Sequence, residues 1–344
     1  MPPTESRSAP TAWHFTALGW MVAAFRSLGL VLVVAWASGV VYYLSLPWPW
    51  ARLALALAFL AFSIWARWLA RTRRASWVLA ALLLAVVAWY ASIQPSHDRN
   101  WRTEVAVMPR AYIDGDRIRI TGVRDFDYRS RDDFTVRYVE REVSLSHLVA
   151  VDFFVSYWMP GPVGHTFVSF IFDNTEPVSI SIETRPEVGE SFAPVASLFK
   201  QFELIYVIGN EKDIVGSRTN HRDEEVFLYR ILTAPENARH LFEIYLERTN
   251  ELADRAEFYH LLSNSCTINI IRYANAVGRS GGFDWRHLLN GLIDQYLYAS
   301  GRIDTSMPFD ELRERSRVND AALAAAGKAD FADRIRVGLP AMSR

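Results

Sequence analysis

One cysteine in 344 residues leaves the chain without an internal disulfide, which excludes the small disulfide-stapled folds. In an oxidising compartment a lone thiol is a liability unless it is buried or used, so Cys266 draws attention at once. No internal repeat and no low-complexity tract occurs. His147 and Asp152 lack metal-ligand spacing, and no metal and no cofactor is expected. The formal net charge is only −1, and no nucleic-acid partner is expected. What is abundant is apolar surface, with 51% hydrophobic residues and 12 tryptophans, distributed over two unlike regions.

From about Thr16 to Ile93 the sequence is almost continuously apolar, and a bilayer core asks for roughly 20 such residues per spanning helix. Three helices fit, from about Arg26 to Tyr43, Leu46 to Trp65 and Ala75 to Ile93, where Gln94 and Pro95 stop the last. Arg52 falls inside the second, near enough to its end to snorkel to the headgroups. The apolar stretch is too long for a signal-peptide core and no A-x-A site follows it. Basic loops stay cytoplasmic, so Arg67, Arg71, Arg73 and Arg74 orient the chain. The amino terminus is then inside, Pro47-Trp48-Pro49-Trp50 lies at the outer interface, and everything after Ile93 is outside. An integral protein of the inner (cytoplasmic) membrane is expected, with a multi-pass region over 1–94 and a periplasmic domain over 95–344, long enough to hold its own core.

In that domain Asp114-Gly115 between Ala111-Tyr112-Ile113 and Ile118-Arg119-Ile120 reads as a tight hairpin. Asp125 to Arg141, dense in charge and aromatics, is expected to wrap the surface. Leu148–Trp158 and His165–Phe172 are apolar runs separated by Met159-Pro160-Gly161-Pro162-Val163-Gly164, which no helix could cross. Val178, Ile180 and Ile182 alternate with Ser179, Ser181 and Glu183, as a strand requires. Leu204–Ile208 and Val226–Leu232 bring a largely antiparallel sheet to five or six strands. Helices follow: one capped by Thr233 with Pro235 in its first turn and a stripe of Ala238, Leu241, Phe242, Tyr245 and Leu246, and one starting near Ser263 or Asn264. Ile268, Ile271, Ala274 and Val277 form the expected buried face of the second, and Gly278 its stop. The remainder, from Phe283 on, reads as helical. The fold class is α+β.

Cys266 stands where a polar capping stretch meets an apolar helix. A thiol at a helix N-terminus feels the positive end of the dipole and unsatisfied amides, which lower its pKa and can hold an oxyanion. The alternative is a small buried residue that merely packs. His165, at the start of a strand, shares a face with Phe167 and Ser169 and is the candidate base; a satisfied interior histidine is the plainer account. Glu183, beside Ser179 and Ser181, is the candidate to orient that imidazole, against an ordinary solvated strand face. Arg218-Thr219-Asn220 with Arg222 suits phosphate or carboxylate binding. A surface loop paired to Asp223 and Glu224 would use the same residues. Asn264 is either a side-chain oxyanion donor or simply the helix cap.

Several segments together resemble one family: Val151-Asp152-Phe153-Phe154 with Tyr157-Trp158, Gly164-His165-Thr166, Ser181-Ile182-Glu183-Thr184-Arg185, Gln201-Phe202-Glu203-Leu204, Arg218-Thr219-Asn220, Ser265-Cys266-Thr267 and Phe283-Asp284-Trp285-Arg286 with Leu288-Leu289-Asn290-Gly291. It is the family of the Lnb N-terminal periplasmic domain, and the likeness runs in order from about Asp125 to Asn319. Here the cysteine motif reads Asn264-Ser265-Cys266-Thr267-Ile268, where the family usually has two asparagines before the cysteine and two threonines after. In Lnb, moreover, the membrane helices follow the domain rather than precede it.

The resemblance implies a circularly permuted papain-like (NlpC/P60-like) fold, in which the histidine strand precedes the cysteine helix. It also implies lipoprotein N-acyltransferase chemistry, with Cys266 and His165 as the catalytic pair. The expected function is therefore a cysteine-dependent acyltransferase, moving an acyl chain from a membrane phospholipid to an amine such as a lipoprotein or lipopeptide N-terminus through a thioester. Cysteine hydrolysis of peptidoglycan peptides or acyl esters and a noncatalytic membrane-bound interaction module are the alternatives.

Overall fold

In the computed structural model the described residues are 13–43, 46–70, 72–191, 193–278, 282 and 284–342. Arg71 and Phe283 lie outside them. The chain divides into two compact units, Met1–Gln94 and Pro95–Arg344.

In the first unit, α1 (Trp13–Tyr42), α2 (Pro49–Ile64) and α3 (Arg73–Ser92) supply three candidate membrane spans, Gly19–Tyr42, Pro49–Ala70 and Arg73–Ser92. Trp20, Phe25, Trp77 and Leu84 stand exposed on them, which suits a lipid solvent and not water. The helix ends differ from the sequence expectation for local reasons. No proline interrupts the stretch from Trp13 to Arg26, so α1 already begins at Trp13. Pro47 and Pro49 bias the residues before them away from helix, so α2 starts at Pro49, a residue suited to the first helical position. A π-helical turn, Trp65–Ala70, then prolongs it and takes up Arg67. Helix α3 opens at Arg73, where Thr72 Oγ1 accepts the Ala75 amide at 3.2 Å, so the basic loop is shorter than expected. Arg52 Nε donates to the Leu46 carbonyl at 2.6 Å, which holds that cation at the corner between α1 and α2.

The second unit contains β1 (Arg110–Asp114), β2 (Arg117–Arg124), β3 (Asp127–Tyr128), β4 (Phe134–Thr135), β5 (Tyr138–Ser144), β6 (Leu148–Tyr157), β7 (His165–Phe172), β8 (Val178–Arg185), β9 (Glu203–Gly209) and β10 (Glu225–Arg230). Eight of these form one sheet in the order β1-β2-β9-β8-β7-β6-β10, with β5 also paired to β2. Every pairing is antiparallel except the single β2–β9 bridge, Arg124 to Gly209. The Asp114-Gly115 turn is present, with Gly115 at φ +56°. The sheet exceeds the expected five or six strands because the 125–141 stretch does not merely wrap the surface. It makes the β3–β4 ribbon and leads into β5, whose Val143 is buried against the core.

Helices cover both faces of the sheet: α4 (Glu211–Ile214), α5 (Pro235–Asp254), α6 (Cys266–Ala276), α7 (Ile293–Ala299), α8 (Phe309–Arg315), α9 (Asn319–Ala324) and α10 (Phe331–Arg334). One core joins Val151, Phe153, Val168, Ile180 and Tyr206 to Phe242 and Tyr245 of α5, Ile270 and Tyr273 of α6, and Leu297 of α7. The other joins Phe154, Phe167, Ile205 and Val207 to Ile214, Ala322 and Phe331. The fold is α+β.

Two expectations about the helices are corrected. Thr233 does not cap α5: Ala234 occupies that position without a side-chain hydrogen bond, and Pro235 alone pre-sets the first turn. The face that α6 buries is Cys266, Thr267, Asn269, Ile270 and Tyr273, not the Ile268–Ile271–Ala274–Val277 stripe. Burial of the polar members is made possible by bonds such as Thr267 Oγ1 to Thr166 Oγ1, at 2.9 Å, and Asn269 Nδ2 to Asn264 Oδ1, also 2.9 Å. Ile271, Ala274 and Val277 instead line an apolar cavity of about 90 Å³ with Leu241, Ile293 and Leu297.

Candidate active site

Helix α6 opens abruptly. Asn264 closes a turn by donating its amide to the His260 carbonyl at 2.8 Å, Ser265 takes extended backbone as the N-cap, and Cys266 is the first helical residue. Its N–H is one of the donors that a helix start leaves without an intrahelical acceptor. Tyr259, a buried side chain absent from the sequence-level candidates, lines the same cavity as Cys266.

The first residues of β7 meet this helix start. Gly164 precedes His165 because a Cβ there would come within 2.8 Å of the Ser156 carbonyl. The loop before it packs on Gly291, whose N–H donates to the Pro162 carbonyl at 3.0 Å and where a Cβ would come within 2.6 Å of Pro162. This contact places Asn290 against the sulfur: Asn290 Nδ2 is 3.7 Å from Cys266 Sγ, and its Oδ1 is 3.5 Å from the Gly164 amide.

Burial alone would push the Cys266 thiol up. The charge of His165 and hydrogen bonds from His165 and from the backbone and hydroxyl of Thr166 outweigh it, and hold the thiol at about 6. Cys266 is 1% exposed, yet it lines a cavity of about 560 Å³ together with His165, Glu183, Arg218, Arg222, Tyr259 and Asn290.

Behind His165 runs a connected relay. Strand β8 pairs with β7 so that Ser181 stands opposite Phe167, and His165 Nε2 lies 2.7 Å from Ser181 Oγ. Ser181 Oγ in turn donates to Glu183 Oε1 at 2.7 Å, and the same carboxylate oxygen accepts from Arg218 Nη2 at 2.7 Å. Because the serine proton is committed to the carboxylate, Ser181 can only accept from the ring. That assigns the proton to Nε2 and leaves Nδ1 for the thiol. Burial would raise the Glu183 carboxyl, but the charges of Arg218, His165 and Arg124 and the Ser181 hydrogen bond hold it well below the usual carboxylate range. Glu183 thus stays ionised at the end of the relay, 3.8 Å from the imidazole, with Ser181 as the group in direct contact.

The model of one protein family, described as the Lnb N-terminal periplasmic domain, matches residues 134–291. That segment is similar to the Lnb N-terminal periplasmic domain. The matched span runs from β4 to Gly291 and so contains His165, Ser181, Glu183, Cys266 and Asn290, while the three candidate spans lie upstream of it. The chain is a membrane protein with a periplasmic domain. No curated protein and no solved structure matches it.

Within the matched segment the remaining candidates part company. Arg218 is almost fully buried and is occupied by Glu183 and, at 3.7 Å, by Glu224. Asn264 does not face the sulfur: its Nδ2 is spent on the Phe258 carbonyl at 3.0 Å and on Glu257, so it braces the turn before α6. Asn220 is likewise turned away, its Nδ2 donating to the Ala322 carbonyl at 3.2 Å. Arg222 does line the cavity. The serines expected on a solvated strand face are fully buried, because Ser179 bonds Ser169 at 2.6 Å and Ser181 belongs to the relay. Asn290 escaped notice as a candidate because an Asn-Gly pair reads as a turn. Its role depends on the backbone at Gly164, 126 residues away along the chain.

Proposed function

We propose that this protein is a cysteine-nucleophile acyltransferase working at the outer face of the inner membrane, moving an acyl chain from a phospholipid to an amine acceptor. The single observation behind this proposal is a thiol held at about 6, at a helix N-terminus beside an imidazole that a serine–carboxylate–arginine relay orients. The order of histidine strand before cysteine helix fits a permuted papain-like arrangement. Three apolar helices upstream tether the domain to a bilayer, where acyl donors reside.

In the first half-reaction the Cys266 thiolate adds to the carbonyl carbon of an acyl ester. The oxyanion is met by the Cys266 N–H, the Tyr259 hydroxyl and the Asn290 amide, which surround the sulfur. Collapse breaks the ester C–O bond, the His165 imidazolium gives its proton to the departing glycerol oxygen, which leaves as the alcohol, and a thioester remains. In the second half-reaction a neutral amine attacks the thioester, His165 takes its proton, and the thiolate leaves. The acceptor chemistry suits a lipoprotein or lipopeptide N-terminus.

Incubating the purified full chain with labelled phospholipid, then taking an intact mass spectrum, tests this directly. An acyl adduct that maps to Cys266 and moves to an added diacylated lipopeptide is the expected outcome. Release of free fatty acid in place of an acylated peptide would assign hydrolysis instead. Full complementation by Cys266→Ser with no adduct on the native protein would leave a noncatalytic module.

A further inference from the structure

The cavity in front of Cys266 carries more positive charge than its walls use. Five arginines line it, Arg102, Arg124, Arg131, Arg218 and Arg222. Arg124 is held by Asp213, at 2.7 Å from Nη2, Arg102 by Glu104 at 2.7 Å, and Arg218 by Glu183 and Glu224. The carboxylates that line the same cavity are Glu104, Asp132, Glu183 and Glu224, and Ser156 donates at 2.5 Å to the same Oε2 of Glu224 that Arg218 faces. Arg222 makes no ion pair within 4 Å and no side-chain hydrogen bond among the described residues, although it is mostly buried, next to the like charge of Arg218 and within the weaker opposing fields of Glu224 and Glu183.

A guanidinium in that position is out of keeping with the rest of the domain, where buried arginines are bidentately paired or multiply bonded. Its fork of donors matches two oxygens of a phosphate. We infer that Arg222 is the receptor for a phosphate anion in the Cys266 cavity, with Arg131 contributing from the exposed rim. The inference deepens the proposed acyl transfer, and rests on it only for the identity of the anion: a phospholipid donor presents its phosphodiester to Arg222 while its ester carbonyl faces Cys266. Burial and the neighbouring Arg218 charge both disfavour the cationic form of Arg222, so an arriving anion relieves an existing cost.

The experiment separates binding from chemistry. Full-length protein carrying Cys266→Ala is titrated calorimetrically in detergent with dihexanoyl phosphatidylglycerol, with uncharged dihexanoylglycerol and with inorganic phosphate. The phospholipid should bind more tightly than the uncharged lipid, and Arg222→Gln should weaken it roughly tenfold or more, the worth of a charge-assisted pair. Arg222→Lys, which keeps the charge but loses the fork, should fall between the two. Phospholipid bound better than phosphate assigns a lipid headgroup, and the reverse assigns free phosphate; either supports the site. Equal affinities for charged and uncharged lipid would overturn it, as would unchanged binding in the Lys and Gln variants. Should the Gln variant not fold, the Lys variant and the two lipid arms still decide. Since no thioester can form in Cys266→Ala, this result stands or falls apart from the acyl-adduct assay.

Discussion

Two buried clusters of arginine and carboxylate lie in the same domain and end differently. One is closed. Asp152 of β6 accepts from Arg230 Nε at 2.5 Å and from Arg336 Nε at 2.9 Å, while Arg336 grips Glu211 with both Nη atoms, at 2.6 and 2.5 Å. Every formal charge in it faces an opposite one, and it ties the end of the chain to the sheet. The other cluster is open. It begins with Arg218 and Glu183, passes through Ser181, and ends on an imidazole and a thiol at a cavity. Ionic pairing is common to both, so pairing alone does not mark a functional site. What separates them is a terminus that titrates, bears a nucleophile and meets space that a substrate can enter.

Substitutions sharpen that contrast by striking one cluster at a time. The largest effect is expected from Cys266→Ala, which should lower acyl transfer by about 10⁴-fold or more, as loss of a nucleophile does elsewhere, while the thermal midpoint stays within a few degrees of native. Turnover at near-native rate would break the comparison outright. Arg336→Met should do the opposite. It leaves Asp152 and Glu211 short of a partner, so stability in a urea titration should drop by about 3–5 kcal/mol with the thiol chemistry of the folded fraction intact.

Ser181→Ala cuts the open cluster in the middle. Acyl transfer should fall by roughly 10²-fold with substrate affinity little changed, because a positioned base is worth about that much. An unaltered rate would mean that Glu183, at 3.8 Å, orients the ring without the serine.

The smallest effect is on pH. With the thiol lowered from 9.0 to about 6, alkylation of Cys266 by a small reagent should be near its plateau at neutral pH and decline about tenfold per unit below 6. The sign for stability follows from the same depression. The contribution is complete above the unfolded thiol value near 9, and it is lost as pH falls through the folded value near 6. A midpoint of alkylation near 9 would show that His165 does not act on the sulfur.

Much of this architecture is legible along the chain. Strands β6 and β7 announce themselves because two apolar runs flank a Pro- and Gly-rich break that only a loop can carry. The phase of α6 is not legible. Its apolar residues form a stripe of their own, and nothing local reveals that Thr267 and Asn269 have buried partners on β7 and in the preceding turn. The relay shows the same divide. Alternation along β8 identifies Ser181 and Glu183 as neighbours on one face, but which of them touches His165 depends on the register with β7. Arg218 and Arg222 look interchangeable in a loop rich in charge. Tertiary packing gives the first two carboxylate partners, and the second no ion pair among the described residues.

Periodicity and composition by themselves determined that this protein has an apolar helical region followed by an α+β domain, and that its lone thiol opens a helix. Those properties are local, set by side-chain spacing, proline and capping within a few residues. That the thiol is lowered, that Asn290 and Tyr259 stand beside it, and that one arginine is spent while another faces the cavity was decided only by the tertiary structure. Electrostatic coupling falls off over a few ångströms, and residues as far apart as 165, 181, 222, 266 and 290 come within that range only once the sheet and helices have packed.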